Sequence, residues 1–164
     1  MSGNRSLPHV KVLPEDDANR QLAIGFLQYP FLLARNIQVL RVARGWLNVL
    51  KLFESVHAIE LDRHPDRLMV LLIDFDADPD RLGQMKAKLP ARFTDRVFVL
   101  GVLTEPERLK ADLRRSYEAI GAAMARDCHE GTDTTWEHAL LRHNAGELDR
   151  LRQHVRPILF PAVE

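Results

Sequence analysis

Arg67-Leu68-Met69-Val70-Leu71-Leu72-Ile73-Asp74-Phe75-Asp76-Ala77-Asp78 is the stretch that decides the fold. The run from Arg67 to Ile73 has the length and branched apolar content of a buried central strand. Aspartates follow it directly. Strand side chains alternate between faces, so Asp74, Asp76 and Asp78 share one face if the extended geometry continues. Carboxylates crowded in that way repel one another, and a divalent cation relieves the repulsion. Hard oxygen ligands suit Mg²⁺ or Mn²⁺. The edge beyond the strand C-termini is also where open α/β sheets place their ligands. The stretch therefore points to a metal site on an α/β fold.

The flanking sequence repeats the strand–helix alternation. His9-Val10-Lys11-Val12-Leu13 reads as a first strand that stops at Pro14-Glu15-Asp16-Asp17. A helix is expected from about Asp17 to Ala34, with Leu22, Phe26, Tyr29 and Leu33 on its apolar face and a kink or break at Pro30. Asn36 to Val42 reads as a second strand. Ala43-Arg44-Gly45 then turns into a helix carrying Trp46, Leu47, Val49, Leu50, Leu52 and Phe53. Beyond the aspartates, a helix is expected from about Asp80 to Leu89 and a fourth strand from Asp95 to Leu103. Thr104-Glu105-Pro106-Glu107 opens a long helix with Leu109, Leu113, Tyr117, Ile120 and Met124 at core-facing spacing.

Asp127 to Asp133 is a polar break, and Thr134-Thr135-Trp136-Glu137 is a capping-box pattern. It predicts a helical region that breaks near Asn144-Ala145-Gly146, resumes to about Val155, and is followed by an apolar tail at Pro157 to Phe160, read as a late strand. Trp136 reads as a core or docking residue. Residues 1–8 are polar and expected to be loose. The alternation predicts a three-layer α/β/α fold with a mostly parallel sheet covered on both faces. One domain is expected over 1–164, with the α/β core at 9–103 and a helical C-terminal extension at 104–164.

Lys+Arg and Asp+Glu number 23 each, so the net charge is zero and a strongly basic nucleic-acid binder is not indicated. The single cysteine, Cys128, excludes an intramolecular disulfide and a cysteine-rich zinc site. His138 and His143 are five apart, a poor spacing for one helical face. The N-terminus has no apolar signal core and no apolar run approaches a membrane span, so no membrane association and a cytoplasmic location are expected. No Walker loop, dinucleotide fingerprint, nucleophile elbow or HExxH motif is present.

A second acidic group, Glu15-Asp16-Asp17, closes the first strand. In a parallel sheet the ends of strands one and three lie on the same edge, so Glu15 can approach Asp74 and Asp76 if those strands are neighbours. Each acidic group also has an ordinary alternative as a helix N-terminus stocked with acids, and Asp78-Pro79-Asp80 suits that role. Arg44 and Gly45, after strand two, are candidate phosphate-binding residues: Gly45 permits a close approach and Arg44 offers a bidentate fork. Their alternative is a plain solvated loop. Lys86, Lys88, Arg92 and Arg96 read either as a basic rim for nucleic acid or as a solvated face.

The pattern resembles the Toprim domain family, catalytic modules with a glutamate after the first strand and an Asp-x-Asp pair after the third. The matching residues are Glu15, then Asp74 with Asp76, and Asp78 extends the run. The resemblance covers roughly residues 9–103. Two departures stand out: Asp16 follows the glutamate where glycine is usual, and the motif glycine is displaced to Gly83. The resemblance implies Mg²⁺ (or Mn²⁺) held by Asp74, Asp76 and Asp78, with Glu15 as catalytic acid/base. It implies phosphodiester chemistry on DNA or RNA, most simply as a nuclease or a nuclease subunit with a protein partner or a second copy of itself. A competing class is a non-enzymatic scaffold or a signalling module. Glu15-Asp16-Asp17 and Asp74 also resemble the acidic pocket and phosphoacceptor of receiver domains, with Thr104 and Pro106 at later positions. The lysine expected on a fifth strand has no counterpart.

Overall fold

The structure, a computed structural model, describes residues 9–160; the expectation for residues 1–8 lies outside them. Four parallel strands, β1 (His9–Pro14), β2 (Ile37–Val39), β3 (Arg67–Leu72) and β4 (Val97–Leu100), form one sheet in the order β2-β1-β3-β4. The longest pairing joins β1 to β3, from His9 opposite Arg67 to Pro14 opposite Leu72. Each strand is short and branched, and parity divides it between two cores. Val10, Val12, Leu68, Val70, Phe98 and Leu100 face one side, while Leu13, Met69, Leu71, Ile73, Val97 and Val99 face the other.

The first side is covered by α1 (Asp17–Leu27), α5 (Pro106–Leu113), α6 (Tyr117–Glu130) and α7 (Ala145–Leu159). The second is covered by α4 (Arg81–Lys88) and by α2 (Trp46–Leu52), which runs through a π-helical segment, Phe53–His57, into α3 (Ala58–Arg63). The molecule is thus an α/β protein of three layers. The helices of the C-terminal third complete the first layer rather than forming an appendage. α1 and α6 approach closely at Gly25 and Gly121: a methyl on Gly121 would overlap the Leu22 carbonyl oxygen.

The edge strand β4 is closed by side chains. The Glu147 carboxylate accepts the Val99 N–H (2.9 Å), and the Asn144 amide both accepts from the Gly101 N–H (3.1 Å) and donates to the Gly101 carbonyl (2.9 Å). Leu103 N–H then donates to the Leu140 carbonyl. An edge that would otherwise present unpaired backbone groups is occupied.

Several element expectations are corrected. The first helix ends at Leu27, not Ala34, because Pro30 lies just beyond and a 3₁₀ turn at Ala34–Asn36 leads into the next strand. The second strand is Ile37–Val39 only, although Leu40 and Ala43 still donate to the Val12 and Pro14 carbonyls. The long helix after Thr104 is two helices, divided where Arg114 takes a left-handed conformation (φ 53°) and Ser116 caps the next. Thr134 to Leu141 is not helical. The Asp127 carboxylate accepts the Thr135 and Trp136 N–H groups and the Thr132 and Thr134 hydroxyls, holding this segment as a folded loop. Helix α7 begins where a break was expected and continues through Pro157, so the apolar tail is helix rather than strand. Trp136 is a core residue whose indole N–H donates to Met124.

Candidate metal centre

The strands run parallel, but the side of the sheet on which they are added changes between β1 and β3. From β1 the chain crosses to β2 on one side, and from β3 it crosses to β4 on the other. The C-terminal ends of β1 and β3 therefore form the switch-point crevice, the standard ligand position of open α/β sheets. Glu15 follows β1 and Asp74 lies two residues beyond β3.

The backbone carries Glu15 into the crevice. Its N–H donates to Leu72 (2.8 Å), extending the ladder, and its carbonyl accepts from Arg44 (2.7 Å) and Gly45 (3.4 Å). The Glu15 side chain is buried, and its Oε2 accepts the Asp74 N–H at 2.6 Å. Asp16 caps α1 by accepting the Asn19 N–H (3.0 Å). One helical turn on, the Asn19 amide, wholly buried, donates to Asp74 Oδ1 (2.9 Å), while its own Oδ1 is buried without a partner. Carboxylate oxygens of Glu15, Asp16 and Asp74 all lie within 4.8 Å of one another.

Burial and mutual repulsion set the electrostatics. Desolvation, with the Asp16 and Glu15 charges, pushes the Asp74 carboxyl up to about 8, against the opposing pull of the Asn19 amide. Burial likewise raises Glu15, helped by Asp16 and Asp76 and opposed by the Asp74 N–H and Arg81. At neutral pH such a cluster takes either a proton or a cation. Three carboxylates around one point are a hard-oxygen donor set, so this triad could hold a metal ion.

Not all the expected residues meet here. The geometry that would place Asp74, Asp76 and Asp78 on one face does not continue, because Asp76 (φ 50°) and Ala77 (φ 57°) turn through the left-handed region. Asp76 N–H and Ala77 N–H donate to Thr104 and Leu103. The Asp76 carboxylate pairs instead with Arg81 (3.1 Å), and Asp78 accepts the Asp80 N–H (2.9 Å) ahead of α4. The Arg44-Gly45 loop does reach the centre, but its N–H groups are taken by the Glu15 carbonyl; the Arg44 side chain is exposed. Of the basic rim, Lys86 pairs with Glu147, Arg92 with Asp62, and Arg96 donates to the Leu61, His64 and Arg67 carbonyls.

The sequence places Asp16 only in the receiver-like acidic pocket and gives Asn19 and Arg81 no role of their own. Asp16 carries a signal, since an aspartate directly before a helix is a good N-cap and it follows Glu15, whereas the Asn19 amide reaches Asp74 across 55 residues of sequence. Arg81 carries no signal, because its role depends on the turn that precedes it.

Fold and centre together define a three-layer α/β protein with a carboxylate triad at its switch point. No protein-family model, curated protein or solved structure matches the chain. Among the described residues no helix is long and apolar enough to cross a membrane.

Proposed function

We propose that this protein is a Mg²⁺-dependent phosphodiesterase of Toprim type acting on DNA or RNA, alone or as a nuclease subunit. The observation that carries the reading is the convergence of Glu15, Asp16 and Asp74 at the switch point between β1 and β3. When bound, Mg²⁺ or Mn²⁺ offsets the phosphate charge and activates an attacking oxygen. Asp16 and Asp74 supply ligand oxygens, and Asn19 fixes the Asp74 carboxylate through Oδ1. Glu15 has one oxygen held by the Asp74 N–H, leaving the other to take or give a proton, and burial raises its pKa above the usual carboxylate value, the direction an acid/base role calls for. Arg44, exposed at the rim, meets the substrate backbone. Asp76 and Asp78 stand outside the triad, next to Arg81.

The test is cleavage of single- and double-stranded DNA and RNA with Mg²⁺, Mn²⁺ or chelator. Metal-dependent cleavage that falls by at least about a hundredfold in Glu15→Ala and in Asp74→Ala is the expected result. Metal-independent cleavage, or cleavage unchanged in both variants, removes the reading.

One observation favours a second reading. The third carboxylate of the triad is Asp16 rather than Asp76, so two acids come from the end of β1 and one from beyond β3, as in the receiver-like alternative. Stable phosphorylation of Asp74 by acetyl phosphate, without nuclease activity, selects it.

A further inference from the structure

We infer that Arg81 is a phosphate-binding residue of this centre, further to Arg44 at its rim, its guanidinium exchanging the Asp76 carboxylate for a phosphate oxygen of the substrate. The inference deepens the proposed function and rests on it. Arg81 is about nine-tenths buried, and one nitrogen, Nη1, serves both the Asp74 carbonyl (3.0 Å) and Asp76 Oδ2 (3.1 Å). That carbonyl belongs to a triad residue, so the guanidinium is anchored on the backbone of the centre. Its Nε is buried with no hydrogen-bond partner, and the nearest anion in that direction, Asp78 Oδ2, is 3.9 Å away. Trp46 packs against the guanidinium with 4.4 Å between Cζ and the ring centre, which fixes the plane of the fork.

Both Nη1 hydrogens are used, one on the Asp74 carbonyl and one on Asp76, whereas the buried Nε–H has no acceptor and is a donor that a phosphate oxygen can take. The partner is also poorly committed: the Asp76 side chain is 55% exposed, and it is presented by two successive non-glycine residues in left-handed conformation. Carboxylate and phosphate present the same oxygen geometry to an arginine fork. Asp76 therefore occupies the position that a phosphate oxygen takes when substrate enters, and competes with it.

Calorimetric titration of the full chain in saturating Mg²⁺, with inorganic phosphate and with the dinucleotide dTpdT as probes, tests this. Arg81→Lys, which keeps the charge and loses the fork, is expected to weaken both probes by about tenfold or more. Asp76→Asn, a change at an exposed side chain, is expected to tighten both, because the competitor is gone. Either probe binding Arg81→Lys within about twofold of wild type overturns the inference, as does weaker binding in Asp76→Asn or no binding of either probe to wild type. The proposed function is read separately, from Mg²⁺ binding without probe and from cleavage. Wild type that binds Mg²⁺ and cleaves, with Arg81→Lys unchanged toward the probes, sinks this inference alone. Wild type that binds no Mg²⁺ and cleaves nothing sinks the function.

Discussion

Asp74→Asn is expected to make the metal-free protein more stable at neutral pH. The substitution keeps the shape and the oxygen that accepts the Asn19 amide, and replaces a carboxyl that must hold a proton in the folded triad at neutral pH by a group that is neutral in both states. The folded-state pKa is raised from 3.8 to about 8. Between those values the unfolded chain releases a proton that the folded chain retains. Stability present below the unfolded pKa is therefore lost as pH rises toward the folded one. The loss is about 1.4 kcal/mol per pH unit, or about 4 kcal/mol unscreened at about pH 7. Water reaches this partly buried crevice and screens the charges, which reduces the expected burden to ~2 kcal/mol. Removing it should raise the melting temperature by roughly 4–8 °C for a chain of this size. The assay is thermal and urea unfolding of both proteins in chelator from about pH 4 to about pH 8, the span between the two pKa values. The gain should shrink steadily toward the acid end, where the unfolded chain begins to hold the proton that the folded chain retains. Mg²⁺ at about a hundred times its dissociation constant should add ~2.7 kcal/mol to wild type alone and erase the difference. A variant no more stable than wild type at neutral pH, or a gain of equal size at acid pH, would refute the crowding argument.

Other consequences concern the scaffold. Glu147→Ala strands the Val99 N–H together with Lys86 and Arg150, and should cost about 3 kcal/mol in urea unfolding. Gly121→Ala forces α1 and α6 apart at the Leu22 carbonyl and should cost about 3 kcal/mol, read as a lowered melting temperature. Asp127→Ala frees the Thr132–Trp136 loop and should cost about 2 kcal/mol at neutral pH. Burial opposes ionisation of Asp127, but its Thr134, Thr135 and Thr132 donors outweigh it and hold the carboxyl below its usual range. That contribution is present above the unfolded pKa and is lost as pH falls through the folded one. The gap between wild type and variant should therefore close below about pH 4.

The parts legible in the sequence were those fixed by local pattern. The Arg67–Ile73 run gave its strand because branched apolar residues at that length fit a sheet buried on both faces, and the strand–helix alternation gave the parallel layers. Glu15 and Asp74 could be brought together because β1 and β3 are neighbours with matched ends. The remainder depended on contacts distant in sequence or on single backbone angles. Asp76 left the expected face through two successive left-handed residues, Asp76 and Ala77, that nothing in Asp-Phe-Asp-Ala-Asp announces. Thr134–Glu137 has the composition of a helix start, but its donors are taken by Asp127, seven to nine residues earlier. Arg114 divided the α5–α6 segment with no glycine or proline to mark the place.

The closure of β4 also sets an order of events. Val99 and Gly101 precede Glu147 and Asn144 by 48 and 43 residues. During synthesis the four strands are therefore complete while the groups that seal the last of them have not emerged. In that interval the nascent sheet has a sticky flank, able to pair with a neighbouring chain. The arrival of Asn144 and the first turn of α7 covers that flank and ends the interval.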